Sequence, residues 1–319
     1  MNLQQLEYIL AVATHRHFAK AANACNVTQP TLSMMIQKLE GELDIKIFDR
    51  SKQPVEVTDV GQEIIFQARK ILSEVKQVNE IIMSHKGELK GELRIGIIPT
   101  LSPYLLPLFV TTFLKKYPHV KLKIQDLTTR EIVDKLKSQE LDAGILATPL
   151  NISSILEYPL FYEQFIVYTS AKEQTIKKKY LLAEDIDVNR LWLLEEGHCL
   201  RAQVINLCEL KKKETEVHNL DYEAGSIEAL KKIVDLSEGI TIMPELAANE
   251  LAKSKHNQLH YFKAPAPVRE ISIVTYRHFV KTRLIDALKS EILKNIPESM
   301  KAASKKQITS ISSKKGLLP

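Results

Sequence analysis

From Asp59 to His85 the chain runs without a proline and with a single glycine, Gly61. Ile64, Ala68, Ile71, Val75, Val78 and Ile82 recur at alternating steps of four and three, which is the apolar seam of a two-helix coiled coil. At 1.5 Å per residue such a helix is about 40 Å long, more than a small neighbouring domain can cover. A long helix lying on its own domain would use the same pattern, but this length favours a linker between two copies of the chain. The helix therefore divides the sequence. Residues 1–58 precede it and residues 59–86 form the linker and dimerisation helix. Gly87 and Gly91 then mark a hinge over 87–91.

Composition sets few further limits. The 319 residues are 45% hydrophobic and 26% charged, enough for two or three globular domains with real cores. No apolar run approaches the roughly 20 residues that span a membrane, so no membrane partner is expected. The opening MNLQQLEYILAVATHRHF lacks a basic leader and a small-residue cleavage site, so a cytoplasmic location is expected. Three cysteines make no disulfide framework in that compartment. The net charge of +5 says little about nucleic acid, because Lys301, Lys305, Lys306, Lys314 and Lys315 supply all of it. Residues 1–298 are neutral overall, so a DNA argument must rest on where charges sit.

Leu3, Leu6, Ile9, Leu10 and Ala13 predict a first amphipathic helix, and Phe18–Cys25 a second, short and alanine-rich. After a turn at Asn26-Val27, Thr28 is a good N-cap and Pro30 fits a first helical turn. The third helix runs through Leu32, Met35, Ile36 and Leu39 and is expected to end near Gly41. Such a pair can place its second helix in the major groove of double-stranded DNA, although a plain three-helix bundle shows the same apolar pattern. The candidate DNA-binding set is Thr28, Gln29, Pro30, Thr31, Ser33, Met34, Gln37 and Lys38. A wing over Gly41–Glu56 adds Arg50 and Lys52, with Lys46, at phosphates. Two such domains on a dimer linker imply a roughly palindromic operator. Cys25 reads as core packing.

Beyond the hinge, apolar runs alternate with helical patterns, which predicts an α/β domain with mainly parallel strands. Strands are expected at Leu93–Ile98, Val120–Gln125, Gly144–Ala147, Phe165–Thr169, Leu191–Leu194, Ile240–Met243 and Ile271–Tyr276. Helices are expected at Pro103–Tyr117, Glu131–Glu140 and Arg283–Ile296, and after Cys199 and Ser226. The middle section then inserts as a second lobe, 164–267, into a first lobe made of 92–163 and 268–298. Ligands of such folds sit between lobes, at strand ends and helix starts. The lysine- and serine-rich 299–319 is expected to be a disordered basic tail. The fold class is thus α + α/β: a winged helix-turn-helix, a long linker helix and a two-lobed α/β domain.

The stretch Glu195-Glu196-Gly197-His198-Cys199-Leu200-Arg201 concentrates the chemistry. It turns at Gly197 and enters a helical pattern with Cys199 at its start. A helix start and nearby cations stabilise a thiolate, so a depressed pKa is expected there, opposed by Glu195 and Glu196. Cys208 lies nine positions on, as a redox partner or as an unrelated small core residue. Thr100 and Thr129 each precede a helix and read most plainly as caps. Arg269 lies just before the last expected strand. There is no phosphate-binding glycine loop and no cysteine or histidine cluster at zinc spacing, so no metal or other cofactor is expected.

HRHFAKAANACNVTQPTLSMMIQKLEGEL resembles the winged helix-turn-helix of the LysR-type transcriptional regulators, and GHCLRAQVINLC resembles the sensing loop of their peroxide-responsive members. The likeness extends over about residues 1–298. It implies a two-lobed effector domain similar to a periplasmic binding protein, a homodimer or homotetramer on DNA, and RNA polymerase as a partner. It further implies that hydrogen peroxide oxidises Cys199, that Cys208 then pairs with it, and that Thr100, Thr129, His198 and Arg269 line the peroxide site. A thiol reductant such as glutaredoxin or thioredoxin would reset the pair. Met34 departs from the basic residue that many members carry there. The stretch Cys208–Ser226, which includes His218, is a few residues longer than usual and shifts the match at Arg269. Two other readings use the same features: a regulator answering a small organic effector bound between the lobes, and a thiol peroxidase.

Overall fold

The computed structural model describes residues 1–85, 89–172, 180–195, 197–208, 222–237, 239–277, 281–301 and 307–309. The chain forms two units, Met1–Glu88 and Leu89–Pro319. Among the described residues no helix is long and apolar enough to cross a membrane.

The first unit begins with α1 (Leu3–His15), α2 (Phe18–Ala24) and α3 (Gln29–Leu43). Asn2 and Gln5 close a capping box on α1, and Thr28 accepts the Thr31 N–H at the start of α3. Leu6, Ile9, Leu32, Ile36 and Leu39 of the expected apolar positions are buried together with Val12 and Ala21, while Leu3 is exposed. Helix α3 continues past Gly41, where it was expected to stop, and ends on Asp44 in the left-handed region. Gly41 costs that helix about 1 kcal/mol. Its neighbour Glu40 compensates, because its buried carboxylate accepts the N–H groups of Ile47 and Phe48 at 2.8 and 3.2 Å. The wing is β1 (Phe48–Asp49) paired antiparallel with β2 (Glu56–Val57). Helix α4 (Asp59–His85) buries Ile65 and Ala68 in the same core, while Val75 and Val78 of the apolar seam are exposed.

The second unit contains β3 (Gly91–Ile97), α5 (Ser102–Lys116), β4 (Val120–Asp126), α6 (Thr129–Lys137), β5 (Ala143–Thr148), β6 (Ile155–Thr169) and β7 (Tyr180–Leu181). It continues through α7 (Cys199–Leu207), α8 (Ile227–Leu236), β8 (Ile240–Pro244), α9 (Glu245–Asn249), β9 (Leu259–Phe262) and β10 (Pro267–Tyr276). It ends with α10 (Thr282–Asn295), α11 (Glu298–Lys301) and β11 (Gln307–Ile308). The strand order is β4-β3-β5-β10-β6-β9-β7, with β8 also on β6 and β11 on β10.

Several expectations change here. The sheet is mixed rather than mainly parallel, because β10 runs antiparallel to β5 and β6, and β6 antiparallel to β8 and β9. The expected strand at Phe165 is the last third of β6, whose earlier residues pair with β10. Leu191–Leu194 makes only isolated bridges to Ile240 and Ala224. Arg269 lies inside β10, not ahead of it. Part of 299–319 is built in rather than disordered: Met300 is fully buried, and Thr309 donates its N–H to the Val268 carbonyl beside β11. The remainder of that tail outside 307–309 and α11, residues 87–88 of the hinge, and His218 lie outside the described residues.

Helix α6 packs onto the sheet through Gly96 and Gly144, above which Ile132 sits in close contact. This approach sets the position of Thr129 at the helix start. A methyl group at Gly96 would lie 2.8 Å from Ile132 Cγ1 and Leu141 Cδ1. Gly96→Ala is therefore expected to destabilise the protein by about 1–3 kcal/mol, read as a lower denaturant midpoint at unchanged slope. An unchanged midpoint would show that this packing is looser than described.

Candidate thiol site and nucleic-acid interface

Gly197, with φ of +96°, turns the chain into an extended His198, and α7 starts on Cys199. Cys199, Leu200, Gln203 and Val204 form the buried face of the helix. The thiol is fully enclosed, and this overturns the expectation of a depressed pKa: loss of solvation pushes it up. Arg269, the Thr129 side chain and the backbone N–H groups of Leu200 and Cys199 pull the other way without prevailing. Burial also pushes Cys208 up, to about 11. Cys25 is half-buried, and burial together with Glu7 raises it. All three cysteines are free thiols.

Arg269 is completely buried, and its partners fix its position. Its Nε donates to Glu163 Oε2 at 2.8 Å, with Nη2 also 2.8 Å from that oxygen. Nη1 donates to Thr100 Oγ1 and Nη2 to the Thr100 carbonyl, both at 3.2 Å. Glu163 Oε1 accepts the Leu246 N–H at 2.8 Å. Glu163 and Arg269 are directly opposed in the β6–β10 register, so backbone pairing itself brings the charges together.

Neither threonine is a cap. Thr100 lies in the turn between β3 and α5 with its hydroxyl on Arg269, and the N-cap position of α5 is Leu101. Thr128, not Thr129, caps α6, in a capping box with Glu131. The Thr129 hydroxyl is buried without a hydrogen bond of normal geometry and lies against the Cys199 thiol. His198 is nearly buried at the N-cap of α7, with Nε2 3.5 Å from Glu195 Oε1. The structure thus gathers Cys199, Thr129, Arg269 and Thr100, with His198 beside them. Sequence reasoning missed Glu163. The visible signal was a carboxylate inside the apolar run Leu160-Phe161-Tyr162-Glu163-Gln164-Phe165.

Cys208 is the C-cap of α7. Across nine helical positions the two cysteines are about 13–14 Å apart along the axis and roughly half a turn apart around it. A disulfide tolerates at most about 7 Å between Cα atoms.

In the first unit, Thr28, Gln29, Pro30, Thr31, Met34, Gln37 and Lys38 are exposed along α3. Ser33 is half-buried and accepts from Arg50 Nη1 at 3.1 Å. Arg50 also donates to Glu40 at 3.0 Å and lies over the Phe18 ring, so it shapes this surface as much as it charges it. Lys52 is exposed and paired with Glu56 at 2.5 Å. An open groove of about 560 Å³ runs between α2, α3 and the wing; Arg16, Lys20 and Lys52 line it, with His15 and His17. Its cations outnumber its acids, a feature that the neutral overall charge of residues 1–58 hid.

Residues 3–62 match the family model described as bacterial regulatory helix-turn-helix protein, lysR family, and residues 86–296 match the LysR substrate binding domain. The chain belongs to the LysR family. Among its relatives, the hydrogen peroxide-inducible genes activator of Haemophilus influenzae is 34% identical over 86% of this chain and 90% of that protein. The DNA-binding transcriptional dual regulator OxyR of Escherichia coli is also 34% identical, over 86% of this chain and 89% of its own. Full-length OxyR C199D from Pseudomonas aeruginosa superposes with a TM-score of 0.78 at 33% identity, covering 93% of this chain and 99% of that one. Reduced OxyR from Porphyromonas gingivalis gives 0.61 at 28% identity, over 68% of this chain and 99% of that one.

The raised Cys208 thiol makes stability depend on pH. A folded-state pKa above the unfolded value contributes stability that is complete below the unfolded pKa and is lost as pH rises through the folded one. With a folded value of about 11, wild type should lose up to about 2–3 kcal/mol between pH about 9 and 11. Cys208→Ser should lack that component. Denaturant titrations of both proteins across the window check this, and parallel curves would contradict it.

Proposed function

We propose that this chain is a cytoplasmic transcriptional regulator that senses hydrogen peroxide through Cys199 and a reversible Cys199–Cys208 disulfide. The observation that carries the reading is the enclosed Cys199 thiol with the unsatisfied Thr129 hydroxyl against it and Arg269 beside it. Arg269, Glu163 and Thr100 are all 2% exposed or less, so protein side chains fill this position. A small reactant fits such a place better than an organic effector does.

In the proposed reaction the Cys199 sulfur attacks one peroxide oxygen and the O–O bond breaks. The other oxygen leaves with the thiol proton as water, and Cys199 becomes a sulfenic acid. As the S–O bond forms, negative charge develops on the departing oxygen until the thiol proton reaches it. Arg269 and the Thr129 hydroxyl are placed to stabilise it by charge and hydrogen bonding. The Cys208 thiol then attacks the sulfenic sulfur and releases a second water, leaving a disulfide. Helix α7 must unwind for the sulfurs to meet, which makes it a two-state element biased by oxidation. A thiol reductant such as glutaredoxin or thioredoxin returns the two electrons.

On the DNA side, α3 enters the major groove and the basic groove beside the wing takes phosphate. A homodimer or homotetramer, joined through α4, covers a roughly palindromic operator and acts on RNA polymerase.

Two experiments test the reading. Free-thiol counts with mass mapping should show wild type losing two thiols to peroxide, at Cys199 and Cys208. Cys199→Ser should keep its Cys208 thiol under peroxide, and Cys208→Ser should trap a sulfenic acid at Cys199. Fast oxidation at Cys25 instead would refute the assignment. In binding titrations, Gln29→Ala should narrow the gap between operator and random DNA, while Lys52→Ala should weaken both alike and flatten the salt dependence. Equal loss of discrimination in the two variants would argue against the groove assignment.

A further inference from the structure

Glu163 is wholly buried in an apolar stretch of β6, and the reaction above gives it no part. A carboxylate is withdrawn from water only at a large desolvation penalty, so its surroundings must answer both oxygens. Oε2 takes the Nε edge of Arg269 and Oε1 takes the Leu246 N–H at the start of α9. This bond to the Nε edge turns the other end of the guanidinium onto the turn that carries Thr100. Among the described residues, no carboxylate besides Glu163 is paired with Arg269. The neighbouring charged and titratable groups have hydrogen-bond or ion-pair partners of their own, and of these Tyr104 also feels the charges of Arg269 and Glu163. From α5, the Tyr104 hydroxyl donates to Glu228 of α8 at 2.9 Å. Glu245 of α9 accepts the Gln164 N–H at 3.4 Å. Glu270, next to Arg269, accepts from Thr148 at 2.7 Å. His198, at the start of α7, faces Glu195.

We propose that Glu163 is a positioning residue of the Cys199 site: as the buried counter-charge of Arg269 it holds the guanidinium on Thr100 and offsets its charge, so that Cys199 rests as a thiol. Arg269 then acts on the reacting oxygens as an oriented set of donors, not as an uncompensated cation. The catalytic part of this statement rests on the peroxide reading. The charge part does not, because it concerns the resting thiol alone.

The test uses the full chain with Cys25→Ser and Cys208→Ser, which leaves Cys199 as the sole thiol. Its ionisation is followed by ultraviolet thiolate absorbance against pH, with circular dichroism as the check on folding. Glu163→Gln should lower the midpoint by about one pH unit, because the charge of Arg269 is no longer offset. Glu163→Asp, which restores the charge on a shorter arm, should bring it part of the way back. An unchanged or raised midpoint in folded Glu163→Gln overturns the proposal. That variant leaves a buried cation without its counter-ion, so the neutral pair Glu163→Gln/Arg269→Gln is measured with Arg269→Gln alone. The single change at Arg269 should raise the midpoint, and the double should return it towards the starting value. A double variant raised as far as the single one overturns the proposal in the same way. A wild-type protein inert to peroxide, with these shifts present, would instead remove the peroxide reading and leave the charge role of Glu163 standing.

Discussion

A buried cation organises the second unit. Arg269 has no solvent to fall back on, so each face of its guanidinium must meet a fixed acceptor. Glu163 meets it across the β6–β10 pairing, and Thr100 meets it from the turn after β3 with both hydroxyl and carbonyl. Glu163 in turn fastens the start of α9 through Leu246. Four segments distant in sequence are thereby held at one point, and Cys199 lies beside it. Removing one partner of such a pair typically costs about 3–5 kcal/mol, far more than an exposed ion pair contributes. The arrangement gives the thiol a defined electrostatic neighbour at a place where burial alone would suppress its ionisation.

The second constraint is the helix between the two cysteines. Helix α7 is anchored at its start by the turn at Gly197 and along its inner face by Leu200, Gln203 and Val204. Gln203 donates to the Thr309 carbonyl at 3.2 Å, so the segment next to β11 also bears on the helix. This packing favours the state in which the thiols are apart. Under the proposed function, a bond between them gains its free energy from oxidation and must exceed the loss of that packing. Burial thus has two roles: it pushes the Cys199 pKa up and it makes the reduced helix the default.

Much of this was legible in the sequence where a single element carries its own pattern. The three helices of the first unit, the long α4 and the alternation of β3, α5 and β4 follow from apolar spacing alone. The pairing of a helix-turn-helix with the Cys199 stretch pointed to the family. What sequence could not supply was mutual placement. The direction of the Cys199 pKa depended on its complete burial in the folded unit, which no local rule reports. Thr100 and Thr129 precede helices and so read as caps, yet Leu101 and Thr128 hold the N-cap positions and free the two hydroxyls for the site. The early part of β6 was missed because Pro159 interrupts its pattern at a bulge opposite Ile271 and Ser272. Arg50 reads as a phosphate contact, and the sequence gives no sign that it also donates to Glu40 and lies over Phe18 within its own domain.

The Cys199–Cys208 bond and an intact α7 exclude one another, because helical spacing holds the two Cα atoms beyond disulfide reach. Amide hydrogen exchange over residues 199–207, compared between reduced and peroxide-treated protein with the disulfide verified by mass, is the decisive measurement. Reduced protein should protect these amides, and oxidised protein should lose the protection. Full protection of α7 in protein that carries the Cys199–Cys208 disulfide would contradict it.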